Sequence, residues 1–122
     1  MNDHEKINYV EFPCLDLAKT KAFFSAAFAW KFEDYGPDYI AFTDVGLNGG
    51  FFRADQASST ENGSTLVVLY SAELEGTHRK ITQTGGTILK EIFSFPGGRR
   101  FHFREPGGNE LAVWSDRDPV TG

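Results

Sequence analysis

The sequence has little of what marks several common classes of protein. It contains one cysteine, Cys14, so no disulfide can form within the chain, and a reducing compartment fits best. No apolar run approaches the roughly 20 residues that a membrane-spanning helix needs, and the polar residues 1–6 do not resemble a secretion signal. The net charge of -5 disfavours a nucleic-acid partner. We therefore expect a cytoplasmic protein that binds neither nucleic acid nor membrane.

Short catalytic motifs are missing as well. The phosphate-binding patterns GxGxxG and GxxxxGKS do not occur, and the spacing of serine, histidine and aspartate supports no catalytic triad. The chain has 3 histidines, and only His102 falls on a predicted strand. Motifs alone therefore assign no reaction.

Aromatic residues, by contrast, are abundant. Phenylalanine accounts for 12 of the 122 residues, and aromatics together make up 15%. So many rings must fill a core, line a pocket or cover a subunit interface. The length suggests a single domain spanning residues 1–122.

The order of predicted elements repeats once along the chain. Strands are predicted at 7–12, 30–33, 39–43 and 47–53, with a helix after the N-cap Asp16, and Pro13 is expected to end the first strand. The second half predicts strands at 66–70, 87–93, 99–104 and 110–115 and a helix over 73–84. Each half therefore has the order βαβββ, with module one at about 7–55, a polar linker at about 56–64 and module two at about 65–115. Glycines 49 and 50 indicate a bulge or the close approach of another group.

Several motifs together resemble the vicinal oxygen chelate superfamily, in its glyoxalase-related branch, over residues 7–115. The first is Tyr9-Val10-Glu11-Phe12-Pro13 followed by Asp16-Leu17, and the second is the turn Glu105-Pro106-Gly107-Gly108-Asn109, which is similar to the family's Asp-Pro-x-Gly-Asn. The superfamily includes glyoxalase I, bleomycin-resistance proteins and extradiol dioxygenases. The resemblance implies an α+β fold, in which two paired βαβββ modules form a half-open mixed β-barrel with helices outside and a ligand cavity inside.

The same resemblance implies where a metal would bind. Metal-dependent members use four inner-face side chains, typically histidine, glutamine or glutamate. Counting from the helix caps and from the turn asparagines places these positions at Tyr9, Phe51, Leu66 and Ala112. Leucine, alanine and phenylalanine have no lone pair to donate, and neutral tyrosine is a poor ligand. We therefore expect no metal ligands and no cofactor, with zinc, nickel, manganese or iron entering only through a non-standard site.

The alternation of side chains along each strand predicts which of them face the cavity. An aromatic and aliphatic surface with a few polar groups is the usual make-up of a small-molecule site. The predicted ligand-binding residues are Tyr9, Glu11, Phe51, Arg53, Val68, Tyr70, His102, Arg104 and Trp114.

Two charged features have alternative interpretations. Glu11, in the middle of a strand, is either a general base or ligand handle, with Tyr9 as its catalytic partner, or a structural ion pair with Arg53 or Arg104. The stripe of Arg100, His102 and Arg104 either recognises a carboxylate or phosphate, or forms a solvated face paired with Glu91 and Glu105.

Three functions follow from these features, and the sequence does not decide whether the chain is an enzyme. The first is a small-molecule-binding domain of the glyoxalase/bleomycin-resistance type, which lacks the usual metal ligands and holds an unknown ligand in an aromatic-lined cavity. The second is a glyoxalase-related lyase or isomerase, or a dioxygenase, that uses a non-standard metal site or metal-free acid–base chemistry through Glu11. The third is an interaction module. Short members of the superfamily often complete their cavities by dimerising, so we expect a homodimer.

Overall fold

The repeat predicted from the sequence is present in the fold. The computed structural model describes residues 2–119. Module one contains β1 (Tyr9–Cys14), α1 (Leu17–Phe28), β2 (Phe32–Asp34), β3 (Tyr39–Phe42) and β4 (Asn48–Arg53). Module two contains β5 (Val67–Tyr70), α2 (Leu74–Gln83), β6 (Thr87–Phe95), β7 (Gly98–Arg104) and β8 (Glu110–Ser115).

Each module forms one mixed, four-stranded sheet with the same strand order. Sheet A runs β1-β4-β3-β2 and sheet B runs β5-β8-β7-β6. The pairs β1/β4 and β5/β8 are parallel, and the other neighbours are antiparallel. The two sheets do not join into a closed barrel, so the predicted α+β fold with two βαβββ modules in a half-open arrangement is confirmed. Within residues 2–119, no helix is long and apolar enough to cross a membrane.

The first strand differs from the sequence prediction at both ends. It begins at Tyr9 rather than at residue 7, and it continues through Pro13 to Cys14. Pro13 pairs with Phe52 inside the ladder. This is possible because β1 lies at the edge of sheet A, where a missing backbone donor is tolerated.

Helix α1 is fixed at both ends by local sequence. The Asp16 side chain accepts a hydrogen bond from the backbone N–H of Lys19 at 3.0 Å, which makes it the predicted N-cap. Ala29 ends the helix in a left-handed conformation, with φ of 59°. Trp30 directly after this cap stacks on Phe24, with ring centroids 4.5 Å apart.

Adjacent residues of α1 pack against different sheets. The Phe24 ring lies 5.6 Å from Phe51 of sheet A, and the Phe23 ring lies 5.9 Å from Phe103 of sheet B. Residues of both modules therefore share one buried hydrophobic cluster, and each fully buried aromatic ring contributes about 2–3 kcal/mol. One face of each sheet is covered in this way, and we call the opposite face of each sheet its open face.

A buried carboxylate joins the two modules at the turn between β7 and β8. Glu105 is 1% exposed and accepts hydrogen bonds from the Thr20 hydroxyl at 2.7 Å, from the Asn109 side chain at 2.9 Å and from the Gly107 backbone. Burial raises the pKa of Glu105, although these hydrogen bonds oppose the rise. The Thr20 hydroxyl also lies 3.0 Å from Cys14 Sγ, so α1 and the end of β1 contact the same turn.

Candidate functional site

The open face of sheet A carries a cluster of two tyrosines and one carboxylate, here called the tyrosine cluster: Tyr9, Glu11 and Tyr39. Tyr9 Oη and Tyr39 Oη are 2.6 Å apart, and the Tyr39 hydroxyl donates to Glu11 Oε2 at 2.9 Å. Because the single Tyr39 proton is directed at Glu11, Tyr9 must donate to Tyr39. The three groups therefore form a directed chain of hydrogen bonds, in which Tyr9 donates to Tyr39 and Tyr39 donates to the carboxylate of Glu11.

The tyrosine cluster depends on a glycine in the neighbouring strand. Gly50 pairs with Glu11 across β1 and β4, and a Cβ at Gly50 would lie only 2.3 Å from Tyr39 Oη. The missing side chain lets the Tyr39 ring cross β4 and reach Glu11. The close approach predicted from the glycine pair is therefore real, and the approaching group is Tyr39.

The electrostatics of this cluster keep the phenol protonated. Burial, together with the hydrogen bonds to Tyr9 and Glu11, raises the pKa of Tyr39 above its ordinary range. In this pair Tyr39 is therefore the hydrogen-bond donor and the Glu11 carboxylate is the acceptor. Sequence reasoning found Tyr9 and Glu11 but missed Tyr39, whose only signal was its position on the strand that follows the turn at 35–38.

The open face of sheet B carries a second cluster, here called the histidine cluster: Thr60, Arg100, His102 and Glu110. His102 Nδ1 lies 2.8 Å from Glu110 Oε2, and His102 Nε2 lies 2.8 Å from Arg100 Nη2. An arginine can only donate, so Nε2 accepts and Nδ1 carries the proton that is donated to Glu110. Thr60, in the linker, donates to Glu110 Oε1 from its backbone N–H at 2.8 Å and from its hydroxyl at 3.0 Å.

The two central residues of the histidine cluster are buried, and each hydrogen bond between its members has a defined donor. His102 is 4% exposed and Glu110 is 5% exposed. Burial alone would raise the pKa of Glu110, but the hydrogen bonds from His102 and Thr60 outweigh it and hold this pKa below its ordinary value. The predicted ligand-binding residues included His102, and Arg100 was named only as part of the basic stripe. Glu110 and Thr60 were not among them, because the linker contact with β8 joins residues that are far apart in the chain.

Aromatic side chains lie beside the histidine cluster in one row across sheet B. The residue pairs Phe93–Arg100, Arg100–Trp114 and Trp114–Tyr70 stand directly opposite each other on successive strands, and so share the open face. The Tyr70 and Trp114 rings are 5.3 Å apart in an edge-to-face arrangement, and the Tyr70 hydroxyl donates to Asp116 at 2.6 Å. This row places aromatic rings next to a guanidinium group.

The structure separates the predicted ligand-binding residues into groups. Tyr9 and Glu11 lie on sheet A, whereas Val68, Tyr70, His102 and Trp114 lie on sheet B, and Arg104 is exposed on the same sheet. Val68 and Tyr70 also border a groove of about 630 Å³ between the modules, whose other walls include Phe28, Trp30 and Lys80.

Phe51 and Arg53 are not where the sequence prediction put them. Phe51 is 0% exposed and packs on Phe12 at 4.8 Å, so its ring belongs to the core under α1 and not to a ligand surface. The register is the reason, because Phe51 pairs with the core residue Phe12. Arg53 is drawn away by Asp38, whose carboxylate it binds at 2.9 Å.

Both alternative ion-pair interpretations from the sequence are also corrected. Glu11 is bound by Tyr39, not by Arg53 or Arg104. Glu91 pairs with His78, and Glu105 is bound by its own turn and by Thr20 of α1. The basic stripe therefore does not pair with these acids in the part of the chain that the structure describes.

The register also changes one of the four positions at which relatives would bind a metal. Val68 pairs with Ala112 in module two, and the equivalent residue of module one, Glu11, pairs with Gly50. The position equivalent to Ala112 is therefore Gly50 and not Phe51. The set becomes Tyr9, Gly50, Leu66 and Ala112, which offers one weak phenol donor and does not fit a divalent cation. Over residues 2–119, no three His, Cys, Asp or Glu side chains are grouped as a metal site.

Comparison with solved structures agrees with this architecture. A glyoxalase-related enzyme from Fulvimarina pelagi superposes with a TM-score of 0.73 at 15% identity, over 91% of this chain and 88% of that one. A glyoxalase/bleomycin resistance protein/dioxygenase family enzyme from Burkholderia phytofirmans gives 0.74 at 12% identity, over 90% and 98%. A lactoylglutathione lyase from Agrobacterium tumefaciens gives 0.69 at 13% identity, over 93% and 96%. At such identities these likenesses show the fold alone.

Sequence comparison extends the agreement from fold to family. No curated protein matches the chain significantly. The family model described as the Glyoxalase/Bleomycin resistance protein/Dioxygenase superfamily matches residues 6–113, nearly the whole chain. The chain therefore belongs to the glyoxalase/bleomycin resistance protein/dioxygenase superfamily.

Proposed function

We propose that this protein is a metal-free, small-molecule-binding domain of the glyoxalase/bleomycin-resistance type. The observation that carries the proposal is the set Tyr9, Gly50, Leu66 and Ala112 at the positions where relatives would hold a cation. These side chains cannot form a metal centre, yet the open faces around them keep aromatic rings and directed polar groups. Such surfaces suit a small organic ligand.

We propose further that two copies of the chain pair through their open faces. The open face of sheet A has two carboxylates in one row, Glu11 and Glu33, whereas that of sheet B has two exposed cations, Lys90 and Arg104. Exposed apolar rings, including Tyr9 at 44%, lie among these charges. A two-fold axis would bring each acidic face onto a basic face, which favours a closed dimer.

Light scattering and native mass spectrometry at low and high salt test the dimer. We expect twice the chain mass at micromolar concentration, and weaker association in high salt because surface charges are screened. A monomer under all conditions would contradict the pairing of open faces.

Metal titration of chelator-treated protein tests the first proposal. Ni²⁺, Zn²⁺, Mn²⁺ and Fe²⁺ are each added while thermal unfolding is followed. A cation at about 100 times its dissociation constant would stabilise the fold by about 2.7 kcal/mol, which corresponds to a rise of several degrees for a domain of this size. We expect no saturable rise. A saturable rise that chelator reverses would contradict the metal-free assignment.

The tyrosine cluster supports a second candidate, a metal-free lyase or isomerase. Its directed chain ends on Glu11, and a carboxylate of this kind can remove a proton from a carbon acid while the Tyr39 hydroxyl stays protonated. A panel of carbonyl compounds, followed by exchange of a carbon-bound proton for deuterium, would reveal such turnover. If Glu11→Gln and Tyr39→Phe leave the exchange rate and its pH dependence unchanged, this candidate is wrong.

A further inference from the structure

Arg100 carries a positive charge that no carboxylate of residues 2–119 neutralises directly. Its neighbour Arg99 binds Glu75, and Arg53 binds Asp38, whereas Arg100 makes no ion pair within the described part of the chain. Among residues 2–119 the Arg100 Nε has no hydrogen-bond partner, but the same is true of Arg99 Nε, whose guanidinium does bind a carboxylate. What points to a missing anion is therefore the lack of an ion pair at the half-buried Arg100 guanidinium, because a charged group held partly away from water is costly to leave unpaired.

The position of the Arg100 guanidinium is fixed by the protein. Its Nη2 donates to His102, which is held by the buried Glu110, which is held in turn by Thr60. On its other side the guanidinium lies over the rings of Phe93 and Phe95, with Cζ 5.7 and 6.0 Å from their centroids. An arginine fixed on two sides is pre-organised to bind an anion with its remaining donors.

The surface next to this guanidinium is aromatic, with the Tyr70 and Trp114 rings in edge-to-face contact. Trp114 stands directly opposite Arg100, and Tyr70 stands directly opposite Trp114. Tyr70 is 50% exposed, and Val68, which lies two residues before it on the same face of β5, is 40% exposed. One ligand could therefore place a flat apolar body on the rings and an anionic group on Arg100.

We propose that Arg100 is the anion-binding residue of the site on sheet B, and that this site takes planar aromatic carboxylates. The inference rests on the proposed small-molecule-binding function and names its ligand class. A carboxylate matches the two-donor geometry of a guanidinium, and the aromatic row supplies stacking surface for the ring.

Two probes that differ only in charge test the proposal: 2-naphthoate and 2-naphthamide. Binding to the intact protein is measured by calorimetry, and the indole N–H of Trp114 is followed by NMR to locate the bound ring. We expect 2-naphthoate to bind about tenfold more tightly than 2-naphthamide, as a charge-assisted hydrogen bond supplies. Both probes should shift the Trp114 signal.

Variants assign the preference to one side chain. Arg100→Gln should bring the ratio of the two affinities close to one, and Arg100→Lys should retain part of it because the charge remains without the planar fork. Arg79→Gln, an exposed arginine on α2, is the matched control and should keep the ratio. If Arg100→Gln does not fold, the wild-type ratio and the lysine variant still decide the result.

Four results would overturn the inference. Equal binding of both probes to wild type would leave an apolar ligand site, as the proposed function requires, but without an anion subsite. A preference that survives in Arg100→Gln would place the anion elsewhere. If neither probe shifts Trp114, the site does not take aromatic carboxylates, and the metal titration still tests the proposed function independently. The fourth result concerns the dimer. If Arg100→Gln and Glu11→Gln weaken it equally, and 2-naphthoate does not change the strength of association, the anion at Arg100 belongs to a second copy of the chain and the inference is overturned.

Discussion

Replacing Thr20 with valine should strongly destabilise the fold, because it removes one donor from the buried carboxylate of Glu105. Valine matches threonine in shape, so packing at this 0% exposed position is kept, while the 2.7 Å bond from the hydroxyl is lost. Hydrogen bonds to charged groups contribute about 1.5–3 kcal/mol. Because the Glu105 carboxylate is buried, water cannot replace the hydrogen bond that Thr20 no longer donates. We expect Thr20→Val to lose about 2–3 kcal/mol, or roughly 10 °C in Tm for a chain of this length.

Urea unfolding at two pH values provides the measurement. Because the pKa of Glu105 is raised in the folded state, the stability linked to this group is complete below its unfolded pKa of about 4.3 and is lost as pH rises through the folded pKa. The cost of Thr20→Val should therefore be larger at pH 7 than near pH 4, where the carboxyl is protonated.

Two variants serve as controls for this prediction. Thr20→Ser keeps the hydroxyl and should lose only about 1 kcal/mol for the missing methyl group. Thr82→Val makes the same chemical change on the exposed side of α2 and should stay within about 0.5 kcal/mol of wild type. If Thr20→Val is as stable as Thr20→Ser at pH 7, the argument about the buried carboxylate is refuted.

Three further predictions follow from close contacts and buried groups. Gly50→Ala should destabilise the fold by about 1–3 kcal/mol and move Tyr39 off Glu11, because the new Cβ would overlap the phenol. Gly76→Ala on helix α2 is the control: the atoms nearest to its new Cβ are 3.8 Å away, and stability should rise by up to about 1 kcal/mol. Equal effects of the two changes in thermal unfolding would refute this account. The pKa of Glu110 is lowered in the folded state, so its contribution to the free energy of unfolding is present above the ordinary glutamate pKa and is lost as pH falls through the folded pKa. Glu110→Gln should therefore make the free energy of unfolding depend less on pH on the acid side. An unchanged pH dependence would count against the histidine cluster. Phe23→Ala should cost about 3–5 kcal/mol and destabilise both modules together, which coincident fluorescence and circular dichroism transitions in urea would check; a loss confined to one module would contradict a shared core.

The sequence predicted the element order well because that order depends on local patterns. The N-cap at Asp16, the turn 105–109 and the strand at 110–115 are each read from a few neighbouring residues, and all three agree with the structure. The end of β1 was mispredicted, since the tolerance of Pro13 depends on whether the strand lies at an edge or in the centre of its sheet. Strand position in a sheet is a property of the whole module.

The candidate site was predicted only in part, for a related reason. Alternation along β1 placed Tyr9 and Glu11 on one face, but the register between β1 and β4 decided that Gly50, and not Phe51, lies beside them. A shift of one residue in register moves a side chain to the other face of the sheet. For this reason Phe51 moved from a predicted ligand surface to the core.

The sequence by itself therefore determined the repeated βαβββ pattern, the superfamily and the absence of good metal donors at the expected positions, because these features depend on residue type and short spacing. Only the tertiary structure decided that Tyr39 reaches Glu11 across a glycine, that Thr60 in the linker holds Glu110, and that no carboxylate within residues 2–119 forms an ion pair with Arg100. Each of these contacts joins residues at least 28 positions apart or depends on which partners are close in space. Strand register and module packing, which set those distances, arise from the burial of the whole core and not from any short segment.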